Sequence, residues 1–248
     1  MPKPTCLQLK VQLAKIQDLF REFDLALGKV RETRQTESLL KMQKEIEEKI
    51  ENLQKEFFSK EIKEKIQDWQ NFYREVFQME TDFSKIKIPE KKEGFERLLI
   101  MQKGLTAQKL FDKCAELFAA KNSMGGNLDE VVTSDRNALE QSYAIWVRDN
   151  VEADEELRGL SAYYIQGKGL PTETLAERLL DEIKYFKQTV KHLDNHDVVT
   201  LCAGSHSGDG DVRDFHVPRV HWNKDKLDVS WLGSVYAYDH LRARQVIV

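Results

Sequence analysis

The chain is poor in cysteine. Its three, Cys6, Cys114 and Cys202, lie far apart in 248 residues, cannot all pair and show no metal-ligand spacing. That excludes a disulfide framework and a cysteine-built zinc site, and makes a reducing compartment the default. Long apolar runs are missing too. None approaches the roughly 20 residues a membrane span needs, and the opening MPKPTCLQLK lacks the apolar core of a signal peptide. The expected setting is therefore cytoplasmic, with no membrane span. Excess basic charge is also absent: the formal net charge is −4, which offers nucleic acid no electrostatic footing. There is no G-x-S-x-G, no credible nucleophile–base pair, no EF-hand and no phosphate loop. The expectation is a protein that is not an enzyme and carries no cofactor or resident metal. Hydrophobic content of 41% and charged content of 32% fit a folded chain of one or two domains.

Helix breakers are absent over a long stretch: no Gly or Pro lies between Lys29 and Ile88. Leu9, Leu13, Ile16, Phe20, Phe23, Leu27 and Val30 form a heptad seam, and RETRQTE (31–37) breaks it. Leu39, Ile46, Ile50, Leu53 and Phe57 resume the seam. A five-residue step to Ile62 then shifts its phase before Ile66, Trp69, Tyr73 and Val76. The pattern predicts a helical hairpin over 1–90, with Thr36 capping the second helix and Pro89 stopping it. One apolar stripe per helix leaves two readings open, an oligomerising or partner-binding arm and a helical layer on its own domain. The arm reading makes a homo-oligomer through these helices the natural assembly. IKIPEKKEG (86–94) reads as the linker.

Downstream, Phe95 to Met101 reads as a strand, Thr106 as the cap of a helix carrying Leu110, Cys114, Leu117 and Phe118, and SYAIWV (142–147) as a second strand. Glu152, Asp154, Glu155 and Glu156 suit the dipole of a helix start. Leu160 to Ile165 reads as a short helix. Thr172 and Thr174 open a long amphipathic one whose apolar face is Leu175, Leu179, Leu180, Ile183, Phe186 and Val190. LRARQVIV (241–248) is a closing strand, and SYAIWV its natural partner.

Glutamate is missing from the last quarter of the chain: none follows Glu182, and the only lysines after Val198 are Lys224 and Lys226. What fills the tail instead is alternation. Val220, Trp222, Leu227, Val229 and Trp231 form a buried row, and the residues between them face out. The outward set is His206, Asp209, Asp211, Asp214, His216, His221, Asn223, Asp225, Asp228, Ser230, Ser234, Tyr236, Tyr238, Asp239 and His240, with Leu232 in the same row. Short polar and aromatic side chains lose little rotamer entropy on ordering, which suits recognition. A plain solvated sheet face is the competing reading. His192 and His196 stand one helical turn apart but lack a catalytic glutamate, and Asp209, Asp211 and Asp214 raise calcium without completing its loop pattern. Cys114 sits among apolar neighbours as a small core residue.

The element order, a strand, two helices and then short strands with a closing strand, resembles a C-type-lectin-like domain. The strings CAGS, VPRVHW, LDVSW and LRARQV resemble the variable proteins of diversity-generating retroelements. LPTE (170–173) echoes the formylglycine-enzyme type of that fold. The resemblance covers about Asp135 to Val248. The helical hairpin or coiled coil over 1–90, read from the heptads, lies outside the family pattern; with it the expected chain is α+β, and the resemblance implies a C-type-lectin-like domain over 95–248 with a short, mainly antiparallel sheet and a variable region at about 202–245. In that family a reverse transcriptase rewrites adenines at the 3′ end of the gene. The variable codons then never encode Lys, Glu, Gln, Met or Trp, and the outward set fits. The implied role is a ligand-binding protein with a hypervariable face toward an unknown protein or surface ligand. The alternative is a coiled-coil adaptor without catalytic activity.

Overall fold

The computed structural model describes residues 14–15, 17–23, 25, 36–194, 197–208 and 216–248. Leu9, Leu13, Ile16, Leu27, Val30, the turn before Thr36, His196 and the three aspartates Asp209, Asp211 and Asp214 lie outside them. The architecture is α+β, in two compact units dividing between Glu80 and Thr81.

In the first unit, residues 14–15, 17–23 and 25 are helical, and α1 runs unbroken from Thr36 to Phe77. At 1.5 Å per residue it is roughly 63 Å long. The phase step in its seam does not interrupt the backbone. Its last turns carry a ring cluster: Trp69 meets Phe72 edge-on at 5.1 Å, and Tyr73 lies 5.6 Å from both Trp69 and Phe77. The helix stops well before Pro89. Gln78 adopts φ +56° and Met79 N–H donates to Tyr73 O at 3.1 Å. A residue in the left-handed region turns the chain out of the helix without proline.

The second unit begins with a stretch that is tied down rather than free. Phe83 is buried, and Pro89 O accepts from Trp146 Nε1 at 2.9 Å. The elements that follow are β1 (Arg97–Met101), α2 (Ala107–Leu117), β2 (Ala120–Asn122), α3 (Leu128–Val131), β3 (Thr133–Ser134), β4 (Tyr143–Val147), a single 3-10 turn (Glu155–Leu157), α4 (Ala162–Gly167), α5 (Leu175–Thr189), β5 (Val199–Leu201), β6 (Ser205–His206), β7 (His216–Asn223), β8 (Lys226–Gly233), β9 (Leu241–Ala243) and β10 (Val246–Ile247). Three sheets result, ordered β1-β4-β10, β2-β8-β7-β5-β9 and β3-β6. The pairs β2–β8 and β5–β9 are parallel and the rest antiparallel. The closing segment does meet β4, but only through Val246 and Ile247; Leu241 to Ala243 joins the five-stranded sheet instead.

Helix α5 is the centre of this unit. Thr174 Oγ1 accepts from Glu177 N, and the Glu177 carboxylate accepts from Thr174 N at 2.7 Å, so the predicted threonine start is a full capping box. Every residue from Leu175 to Lys184 is buried. Amphipathicity predicts one wet face; here the polar face is buried too, because partners from four other segments neutralise it. Arg136 holds Glu177, Arg97 holds Asp181, and Arg178 bonds both Glu182 at 2.8 Å and Asp194 at 3.0 Å. Arg244, between the two closing strands, adds a bond to Asp194 at 2.8 Å and two to the carbonyls of Asn150 and Val151. Burial alone would raise the Asp194 carboxyl; Arg244 and Arg178 overcome it and hold the pKa below the ordinary value. Val190, expected on the apolar face, is the left-handed cap at φ +57° and is exposed.

The acidic run after β4 does not cap a helix. Asp154 makes no side-chain cap bond. It accepts from Arg148 at 2.9 Å and from Gln245 N at 2.7 Å, while Glu152 and Glu155 both meet Arg242. Glu155 and Glu156 stand in the first turn of the 3-10 segment, and the run as a whole answers Arg148, just after β4, and Arg242 on β9.

Candidate functional site

The site is built on the β7–β8 hairpin. Its two-residue turn places Lys224 at φ +57° and sets the register Val220↔Val229, Trp222↔Leu227 and His221↔Asp228. Cross-strand partners share a face. One face carries Val220, Trp222, Leu227 and Val229, all buried. Trp222 is fixed by rings from three other segments: His192 at 3.7 Å and Phe118 at 5.6 Å, with His192 stacked on Phe186 at 5.0 Å. His192 Nδ1 also bonds Glu182 Oε1 at 2.9 Å, so this histidine serves the core. Trp231, expected in the same buried row, is only partly buried. It pairs with Pro218 towards the hairpin's open end, past the reach of that ring cluster.

The other face is not displayed along its whole length. A second apolar cluster, Leu157, Ala162, Ile165, Val199, Leu201, Val217 and Leu241 among its members, covers one end, and Leu232 packs against it. Leu232 is thus a packing residue. Ser230 is buried and its Oγ accepts from Arg219 Nε at 3.0 Å. Ser234 is buried as well, and its carbonyl accepts from Tyr163 N. Leu232 and Ser234 depart from the outward expectation because α4 packs on this face of the sheet, which β5, β7 and β9 share, and Ser230 because the Arg219 side chain lies against it. Strand alternation alone cannot reveal this cover.

What stays open is a band. Tyr236, Tyr238 and His240, two residues apart in sequence, stack in parallel: 5.8 Å and 13° for the first pair, 5.6 Å and 3° for the second. Both tyrosines are about half exposed, at 49% and 48%. His240 in turn acts electrostatically on His221, whose register partner is Asp228. Burial holds the His221 pKa below the ordinary imidazole value. Asp228 opposes that shift, and the nearby Arg219 and His240 reinforce it. Among the described residues, His221 Nδ1 and Asp228 Oδ1 are buried without a hydrogen-bond partner. Asn223 and Asp225 flank the band, exposed at the hairpin tip, and Asp239 is exposed with its carbonyl held by Arg158 Nε at 3.1 Å. Gly233 is required under the ladder, since a Cβ there would lie 2.9 Å from the Tyr236 ring.

His206 and His216 sit apart from the band. They mark the two ends of the 207–215 loop: Ser207 N donates to His216 O at 2.9 Å, and His206 Nδ1 contacts Gly208 O at 3.0 Å. His206 also lines a cleft of about 530 Å³ with Arg136, Gln166 and Leu170. Sequence reasoning misses Tyr163 and Tyr164. They lie on α4, are 43% and 47% exposed, and the backbone bond from Tyr163 N–H to the Ser234 carbonyl ties their helix to the end of the hairpin. Exposed tyrosines on a short helix were the available signal, but nothing local tied them to the tail.

Among the described residues, nucleophile chemistry finds no purchase in the Cys114 and Cys202 thiols or in Ser205. Burial pushes the Cys114 and Cys202 thiols well above the ordinary range. Ser205 is buried, accepts from Leu175 N at 2.9 Å and meets Ser134 at 2.7 Å. Among the described residues no three His, Cys, Asp or Glu side chains stand together so as to hold a metal ion, and no helix is long and apolar enough to cross a membrane. No family model, no curated protein and no solved structure matches the chain.

Proposed function

We propose that this chain is a binding protein of the diversity-generating-retroelement type, in which a C-type-lectin-like domain over 95–248 presents a changeable face to a protein or surface ligand. One observation carries the reading: an exposed ladder of aromatic rings, Tyr236, Tyr238 and His240, adjoins the half-buried His221–Asp228 pair on a hairpin whose reverse side is packed shut. Rigid tyrosines supply contact area at low entropic cost, and the histidines and aspartates supply polar specificity. Pairing of β10 with β4 and the run of two helices between β4 and the tail support the lectin-like fold.

Comparison of the gene's 3′ end among closely related isolates tests this reading. Substitutions should fall at adenines in the codons of His221, Asp228, Tyr236, Tyr238 and His240 and spare Val220, Trp222, Leu227 and Val229. Even spread over both sets refutes it. A second reading, an adaptor or oligomerising arm built on α1, is favoured by Leu40, Met42 and Phe58, which α1 leaves exposed. Removing residues 1–80 separates the two: a binding function that survives belongs to the hairpin face.

A further inference from the structure

The interior contains a charge imbalance that no surface reading explains. Four carboxylates, Glu173, Asp181, Glu182 and Asp194, are fully or almost fully buried around three guanidiniums, Arg97, Arg178 and Arg244. Three of the four are answered. Asp181 Oδ2 takes Arg97 at 2.6 Å. Glu182 takes Arg178 at 2.8 Å, His192 at 2.9 Å and Leu193 N. Asp194 takes Arg178, Arg244, Thr200 Oγ1 at 2.6 Å and Ala153 N at 2.8 Å. Glu173 takes none: among the described residues both of its buried oxygens lack a hydrogen-bond partner, and so does Asp181 Oδ1. A buried ionised carboxylate that accepts no hydrogen bond is strongly disfavoured. The Nε donors of Arg97, Arg178 and Arg244 are unpaired as well, yet none bonds Glu173. A neutral acid removes the surplus charge among these groups, leaving three anions for three cations, and brings one O–H donor to a cluster in which Asp181 Oδ1 lacks one.

We propose that Glu173 is a proton-binding site inside the fold: the folded chain holds it as the neutral acid, and the fold weakens as that proton leaves. The groups that face it are Asp181 and Arg178 on α5, Arg97 on β1, Arg244 between β9 and β10, and the Cys202 thiol just after β5. His192 reaches Glu182 from the rim and does not bond Glu173. Burial and then Asp181 raise the Glu173 pKa, and the three arginines only partly oppose them. The proton sits at the root of the tail, because Glu173 N–H donates to Arg244 O at 2.9 Å and Glu173 O accepts from Gly204 N at 3.2 Å.

The sign follows from linkage. A carboxyl raised on folding keeps a proton that the unfolded chain has released, so its stability is complete below the ordinary carboxylate value, about 4.3. It is lost as pH rises towards the folded value. The test compares urea unfolding of the full chain and of Glu173→Gln, an uncharged near-isostere of the acid, between about pH 5 and pH 8. The folding constant of Glu173→Gln relative to the parent should rise with pH, approaching tenfold per unit. Parallel profiles overturn the proposal. Should Glu173→Gln not fold, carboxyl-carbon NMR of glutamate-labelled parent protein decides instead. One glutamate that keeps its acid-form shift through neutral pH supports the site, and ionised shifts for every glutamate overturn it.

Discussion

Trp222→Ala measures the separation between scaffold and display most directly. Trp222 is 6% exposed. Its indole lies 3.7 Å from the His192 ring and 5.6 Å from Phe118, and across the strand it faces buried Leu227. Two ring contacts contribute about 0.5–1.5 kcal/mol each beyond area burial. The side chain leaves a cavity that the fixed sheet cannot close, so the total loss should be about 3–5 kcal/mol, or more than a hundredfold in the folding constant. Tyr238→Ala is the control. It removes a half-exposed ring from a surface stack and should cost about 1 kcal/mol or less. Trp231→Ala should fall between them, since that ring is only partly buried. Chemical denaturation followed by far-UV circular dichroism gives all three values. Equal destabilisation by Trp222→Ala and Tyr238→Ala would refute the reasoning, because the band would then be part of the core.

Other perturbations probe the framework and the pH response. Asp194→Ala leaves Arg178 with Glu182 alone and Arg244 with two backbone carbonyls in the interior and should cost about 3–5 kcal/mol by the same denaturation assay. Gly204→Ala places a Cβ 2.7 Å from the Thr172 carbonyl oxygen, which is backbone and cannot swing aside; a loss of about 1–3 kcal/mol is expected. Thr174→Ala removes one half of the α5 capping box and should lower stability by about 1 kcal/mol. The lowered His221 pKa means that the unfolded chain takes up a proton before the folded one does. Stability should therefore fall as pH drops from about 6.5 towards the depressed folded value, and His221→Asn should flatten that limb.

Local chemistry in the chain already determined a good deal. The α5 capping box follows from Thr174 and Glu177, three residues apart. The hairpin and its packed row of Val220, Trp222, Leu227 and Val229 follow from period-two alternation around a two-residue turn. The meeting of the closing strand with β4 follows from two complementary apolar segments. Each is a signal spanning a few residues, or a simple rule about how strands join. The tertiary structure alone decided the rest. Leu232 and Ser234 look displayed in a strand pattern and are covered by α4, and Ser230 is closed off by Arg219. The polar face of α5 looks solvated in a helix pattern and is buried by Arg97, Arg136, Asp194 and Arg244. The backbone bond from Tyr163 N–H to the Ser234 carbonyl ties α4 to the end of the hairpin. Periodicity reports which side of an element is apolar. Whether the other side meets water depends on segments that arrive from elsewhere in the chain, and their arrival is set by packing and charge balance over the whole domain.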